Sequence, residues 1–159
     1  MKNNYILDTS SIQYMLEILP HKLMEDLWNQ FEIQCKNGRS ISDRETKKAL
    51  DTQLTEIDSL EWVNQNSIMF KTMTQNDATQ LGELVNEGIF DYYNNSLELI
   101  RKLPVSIPFI ISMAISQKRV LVIDKRSRDK QKIVEICSQK DIKYVDVEEY
   151  LLNIKKSIV

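Results

Sequence analysis

Two short apolar runs, each stopping at a carboxylate, set the strongest constraint on this fold. Tyr5-Ile6-Leu7 runs into Asp8-Thr9-Ser10, and Val120-Leu121-Val122-Ile123 runs into Asp124. An unbroken apolar run of this length is the signature of a strand buried on both faces, as in a parallel sheet. Parallel strands need crossovers, and the stretches between the runs carry helical periodicity, so helices should pack on both faces of a mostly parallel sheet. The fold class is therefore α/β, with three layers. In such sheets ligands bind beyond the carboxyl ends of the strands, where both aspartates fall. A bland alternative stands beside this one, in which Asp8 and Ser10 only cap the helix that follows.

The chain has 159 residues, 42% of them hydrophobic, and no proline- or glycine-rich tract, which fits one domain over 1–159. Leu23, Leu27 and Phe31, with Met24 and Trp28 beside them, mark a long amphipathic helix closed by Gly38. Ser42 and Glu45 have the spacing of a capping box, which predicts a helix from Ser42 toward Leu50 and leaves Asp43 and Arg44 as solvated surface. Leu54, Ile57 and Trp62 suggest another helix. From Asp77 to Tyr93 the period is helical, with Leu81, Leu84, Val85 and Ile89 inward, and Ser96 to Leu103 reads as a shorter helix. Asp91, Tyr92 and Tyr93 are either cleft contacts or an ordinary helix end. Pro108 suits the first turn of a helix carrying Phe109, Ile110, Met113 and Ala114. Ile133 to Lys140 reads as helix, Lys143-Tyr144-Val145 as strand, and Glu148 to Lys155 as a closing helix.

Several chemistries are poorly served. His21 is the only histidine, which argues against a histidine-rich zinc site or a Ser/His/Asp triad. Cys35 and Cys137 are too far apart for a CxxC motif and read as packed thiols in a reducing compartment. No apolar run can cross a bilayer and no signal peptide precedes the first strand, so a cytoplasmic protein without membrane contact is expected. Three glycines give no phosphate-wrapping loop after the first strand, and a receiver domain lacks its acid pair. The net charge of -2 gives no global attraction to nucleic acid, yet Lys118 to Lys132 concentrates seven basic residues against Asp124 and Asp129.

The remaining chemistry is that of gathered acids. If the two aspartate-ended strands are neighbours, Asp8 and Asp124 meet at one sheet edge, and Glu45 is the natural third acid. Clustered carboxylates raise one another's pKa unless a cation compensates them. Oxygen ligands favour magnesium or manganese, which can activate water and stabilise charge during phosphodiester hydrolysis. Lys125, Arg126, Arg128 and Lys130 could then hold a phosphate backbone.

These segments together carry a resemblance. Tyr5-Ile6-Leu7-Asp8-Thr9-Ser10, then Ile41-Ser42-Asp43-Arg44-Glu45, then Ile107-Pro108-Phe109-Ile110-Ile111-Ser112-Met113-Ala114 with the Val120 to Asp124 strand, Val134 to Cys137 and Val145 to Leu152, resemble a small stand-alone bacterial PIN-like domain over nearly the whole chain. The resemblance implies a three-layer α/β/α PIN-like domain whose clustered acids use Mg2+ or Mn2+ to cut RNA, often as the toxin of a toxin-antitoxin pair. It makes Asp8 the central metal ligand and Glu45 the second acid, with Ser10 and Thr9 as supporting hydroxyls, and Asp124 joins them as the third catalytic and metal-binding acid of a reduced site. RNA, an antitoxin-like protein and a second copy of the chain in a homodimer are the partners it brings into view.

The sequence departs from the pattern at Ile107, where the family supplies an aspartate, and at Ile123, which replaces a threonine or serine. The family's fourth acid falls one position after Asp124, at Lys125, so Asp124 either shifts inward as a ligand or belongs to a solvated turn. Asp129 is the other acid that could fill the place vacated at Ile107. Two readings follow: a metal-dependent ribonuclease with a reduced acidic site, and a degenerate PIN-like module that binds RNA or a protein without cutting.

Overall fold

A computed structural model describes residues 3–91 and 105–156. At its centre lies β1 (Tyr5–Leu7), three fully enclosed residues with parallel partners on both sides. On one side is β2 (Ser40–Asp43), followed outward by β3 (Phe70–Lys71); on the other is β4 (Val120–Val122), followed by β5 (Tyr144–Val145). The order β3-β2-β1-β4-β5 is parallel throughout. The chain starts in the middle of the sheet, builds outward to β3, and crosses over to build the other half.

Alternation along the strands divides the core into two layers. Tyr5, Leu7, Val120 and Val122 join one cluster with residues of α1 (Thr9–Ile18), α2 (Glu25–Lys36), α4 (Ile57–Gln65) and α8 (Val147–Lys156). Ile6, Ile41, Leu121 and Ile123 join the other with residues of α5 (Gln75–Asn86), α6 (Ile107–Ser116) and α7 (Lys130–Lys140). The remaining helix, α3 (Arg44–Gln53), follows β2 directly. This is the expected three-layer α/β/α sandwich. Pro108 sits in the first turn of α6, as its sequence position predicts. Cys35 and Cys137 are both buried free thiols. Among the described residues no helix is long and apolar enough to cross a membrane.

The middle of the chain departs from the sequence reading. Ser42 starts no helix: it lies inside β2, and its hydroxyl donates to Leu7 O at 2.7 Å. The helix begins at Arg44, capped by Asp43, so the Ser42–Glu45 capping box does not form and Asp43 is 2% exposed instead of solvated. Ser-Ile-Ser-Asp has little intrinsic strand preference. Pairing on both sides decides its conformation, and both serines find buried partners, Ser40 meeting the Tyr150 hydroxyl at 2.6 Å. The helix expected to reach Tyr93 ends at Asn86, with Gly88 at φ +78 beyond it; Leu84 is buried as expected, but Val85 is 54% exposed. Tyr92, Tyr93 and the helix expected over Ser96 to Leu103 lie outside the described residues.

One basic residue of the Lys118 to Lys132 stretch is structural. Arg119 Nη1 donates to Tyr5 O, Gly38 O and Arg39 O at 3.3, 3.1 and 3.3 Å, tying the amino-terminal ends of β1 and β2 to the start of β4. Replacing it by methionine leaves these carbonyls short of a donor, and a charged donor of this kind contributes about 2 kcal/mol. Urea denaturation of Arg119→Met is expected to show a loss of that order, and an unchanged midpoint would show that the guanidinium is dispensable.

Candidate functional site

Four of the five strands stop at or just before an aspartate on the same edge of the sheet: Asp43 ends β2, Asp8 follows β1, Asp124 stands two residues beyond β4, and Asp146 follows β5. Three of them cap the next helix, which is the physical reason for the recurrence, since an aspartate at a helix start accepts from otherwise unpaired N–H groups. Asp8 accepts from Ser11 N at 2.9 Å, Asp43 from Thr46 N at 3.0 Å, and Asp146 from Glu149 N at 2.8 Å. Asp8-x-x-Ser11 and Asp43-x-x-Thr46 are versions of one device. In each the hydroxyl three residues on also meets the carboxylate, at 2.7 Å.

Asp8 and Asp43 are equally enclosed, each 2% exposed. Ser10 Oγ lies 2.9 and 2.7 Å from the two oxygens of Asp8. Ser11 Oγ has one proton to share between Asp8 Oδ1 at 2.7 Å and Val122 O at 2.9 Å. Burial raises the Asp8 pKa to about 6; the Ser11 and Ser10 hydrogen bonds pull it down, and the charge of Asp124 pushes it further up. Asp43 is raised as well, by burial, against its hydrogen bonds to Thr46 and Glu45.

Asp124, 5% exposed, is reached through the β1–β4 pairing, in which Leu7 stands opposite Val122 and Asp8 N donates to Val122 O at 3.2 Å. Its oxygens face Arg126: Nη2 lies 2.6 Å from Oδ1 and Nε donates to Oδ2 at 3.3 Å. The Oδ1 contact is an ion pair without a hydrogen bond, and that oxygen accepts none elsewhere among the described residues. The same guanidinium donates to Glu148 Oε1 at 3.2 Å and stacks over the Tyr14 ring, 3.7 Å from its centroid. Its carboxylate partners, Asp124 first, raise its pKa still further.

The other residues named from sequence are more dispersed. Glu45 lies in the first turn of α3, 27% exposed at its side chain, and accepts from Lys48 Nζ at 3.0 Å. Among the described residues no three acidic, histidine or cysteine side chains converge on one point, so Glu45 and Asp129 do not close a triad with Asp8 and Asp124. Ile107 is buried in the α5–α7 layer. Its neighbour Ser106, also buried, offers a hydroxyl that meets Thr9 Oγ1 at 3.0 Å. Lys125 Nζ lies 3.7 Å from Glu148, while Arg128 and Lys130 line an open groove of about 870 Å3 with Gln131, Glu135 and Tyr144.

Sequence reasoning missed Asp43, Ser11, Ser106, Tyr14 and Glu148. The repeated Asp-x-x-Ser/Thr spacing was a usable signal for Asp43 and Ser11. For Tyr14 and Glu148 there was none, because only the crossovers bring α1 and α8 beside Asp124.

The sheet order, the layers and the carboxylate-bearing edge define a PIN-like α/β domain. Solved structures agree: the chain is similar to VapBC2 from Rickettsia felis bound to a DNA fragment from its promoter, with TM-score 0.51 and 14% identity over 89% of this chain and 97% of that one. It is similar to VapBC-1 from nontypeable Haemophilus influenzae, with TM-score 0.50 and 16% identity over 91% and 98%. The same holds for PAE2754 from Pyrobaculum aerophilum, with TM-score 0.50 and 16% identity over 98% and 99%. At these identities the likeness establishes the fold. The chain belongs to the DUF4411 family, a domain of unknown function, whose model matches residues 5–158. A search of curated proteins gives no match.

Two buried carboxylates offer hard oxygen donors of the kind magnesium or manganese takes while keeping most of its waters, and the Asp124 oxygen without a hydrogen bond is the one now held against Arg126. Without a cation the burial of Asp8 has a measurable cost. Because the fold raises this pKa above the ordinary 3.8, the folded state holds the proton more tightly than the unfolded chain, and ionisation destabilises it. The penalty is absent below about pH 4, grows as pH rises through about 6, and reaches about 3 kcal/mol above that. Asp8→Asn carries no such ionisation, whereas Asp43 titrates in both proteins. In chelator, the stability of Asp8→Asn relative to wild type, read from urea midpoints, is expected to rise between pH 4.5 and 7.5; parallel curves would show that Asp8 ionises without strain.

Proposed function

We propose that this chain is a divalent-metal-dependent ribonuclease of PIN type with a reduced acidic site. One observation carries the reading: adjacent parallel strands deliver two buried carboxylates, Asp8 and Asp124, to one edge of the sheet, close enough for the charge of one to raise the pKa of the other. In this reading Asp8 and Asp124 hold Mg2+ or Mn2+, and Glu45 attends from the rim on α3. The ion supplies positive charge to a scissile phosphate and lowers the pKa of water. Ser10 and Ser11 fix the Asp8 carboxylate, and Thr9 pairs with Ser106, the chain neighbour of Ile107, where the PIN-like pattern has an acid. Lys125, Arg128 and Lys130 would hold the RNA backbone. The likeness to the VapBC assemblies supports an antitoxin-like protein partner, with a homodimer as a further association, and two buried free thiols suit a cytoplasmic setting.

A second reading is favoured by Ile107 and Arg126. An apolar residue buried where the PIN-like pattern has an acid, and a guanidinium already neutralising Asp124, are what a PIN-like module that binds RNA or protein without cutting would keep.

Cleavage of a mixed single-stranded RNA pool across a manganese titration separates the two. The nuclease reading expects metal-dependent cutting that falls roughly 100-fold or more in Asp8→Asn, with a smaller loss, about 10-fold, in Glu45→Gln. No cutting by wild type, or full cutting by Asp8→Asn, would overturn it. For the basic residues, RNA affinity is expected to fall with salt, and Arg128→Gln with Lys130→Gln to lessen the slope for single-stranded RNA by about 1.4. An unchanged slope would place the backbone elsewhere.

A further inference from the structure

The position of Arg126 follows from its turn. Ser127 N donates to Asp124 O at 3.0 Å, so residues 124 to 127 form a tight turn that folds the Arg126 side chain back over the carboxylate opening the turn. There the Arg126 guanidinium meets Tyr14 of α1 and Glu148 in the first turn of α8. The guanidinium is thus held by the turn and by both flanking helices. Its grip is uneven. The Asp124 side chain is 7% exposed, while those of Arg126 and Glu148 are 44% and 41% exposed, so the cation reaches a buried anion from solvent. An ion pair to a solvent-facing partner contributes little, and such a contact can be exchanged for a stronger cation.

We propose that Arg126 is a built-in countercation, a latch that occupies Asp124 until a divalent ion displaces it, with Glu148 and Tyr14 holding the latch shut. Three observations carry this: the double approach of the guanidinium to Asp124, the buried Asp124 oxygen that has this guanidinium and no hydrogen-bond donor beside it, and the side-on support from Tyr14 and Glu148. The latch supplies the positive charge that an ionised Asp124 beside Asp8 otherwise lacks. The inference rests on the reading of Asp8 and Asp124 as a cation site, not on RNA cleavage.

Manganese binding to the full chain, read by electron paramagnetic resonance of free Mn2+, tests it. Arg126→Gln is expected to bind manganese at least tenfold more tightly than wild type, and Asp8→Asn in the Arg126→Gln background to lose that gain. Removing any positive charge nearby tightens cation binding somewhat, so a gain in Arg126→Gln is weighed together with the sign of the change in Glu148→Gln. Glu148→Gln gives the sharper sign. By charge alone its loss weakens cation binding, whereas freeing one side of the latch strengthens it; several-fold tighter binding is expected. Unchanged or weaker binding in Arg126→Gln, or weaker binding in Glu148→Gln, would overturn the latch, and the second variant decides if the first does not fold. Tight manganese binding without RNA cleavage would keep the latch and end the nuclease reading. Cleavage by wild type with no change in affinity across the variants would do the reverse.

Discussion

The pairing of β1 between β2 and β4 is the constraint on which the rest of this molecule depends. Three residues, Tyr5, Ile6 and Leu7, are enclosed by strands at both edges and a helical layer on each face. Their register puts Leu7 opposite Val122 and Ile6 opposite Ile41, so Asp8 and Asp43 arrive at one level and Asp124 one residue beyond it. A parallel sheet has no choice about this: every strand points the same way, and every crossover returns the chain to the opposite end. Function collects at the carboxyl edge because helix starts, cap residues and strand ends all coincide there.

At that edge one carboxylate must satisfy two demands. Asp8 caps α1 by accepting from Ser11 N, and it is also the most enclosed acid near Asp124. Capping and chemistry are not rival explanations, because one oxygen anchors the helix while the other meets the Ser10 hydroxyl. What decides between a working acid and a purely structural one is the local balance of charge. Asp43 shows the structural case: the same spacing, the same burial, and no second acid held against it except Glu45 on its own helix. Asp8 has an independent strand delivering Asp124 beside it, together with a single guanidinium to balance the pair.

Much of this architecture was legible in the residues. The unbroken runs at Tyr5 to Leu7 and Val120 to Ile123 gave away central, doubly buried strands, and the order of helices between them implied the three layers. Pro108 marked its helix start correctly. Strand β2 was hidden because Ser40-Ile41-Ser42-Asp43 carries only one apolar side chain, and its strand character comes from neighbours contacted across the fold. The short β3 was hidden for the same reason. The site was half legible: Asp8 and Asp124 stood out as acids after apolar runs, but the partners of Arg126 come from positions 14 and 148, more than a hundred residues apart, and no local pattern links them. Arg126, one of seven basic residues in a row of surface-like positions, looked like a phosphate contact; its geometry makes it the internal counterpart of an acid.

Asp8 and Asp124 are proposed to form a cation site held closed by Arg126. Crystals grown with manganese and measured at its absorption edge test this most directly, because anomalous scattering locates the ion without reference to activity. The account expects an anomalous peak shared by the two carboxylates, with Arg126 swung off Asp124 toward solvent. A manganese-saturated crystal with no peak there, and with Arg126 still seated between Asp124 and Glu148, would contradict it.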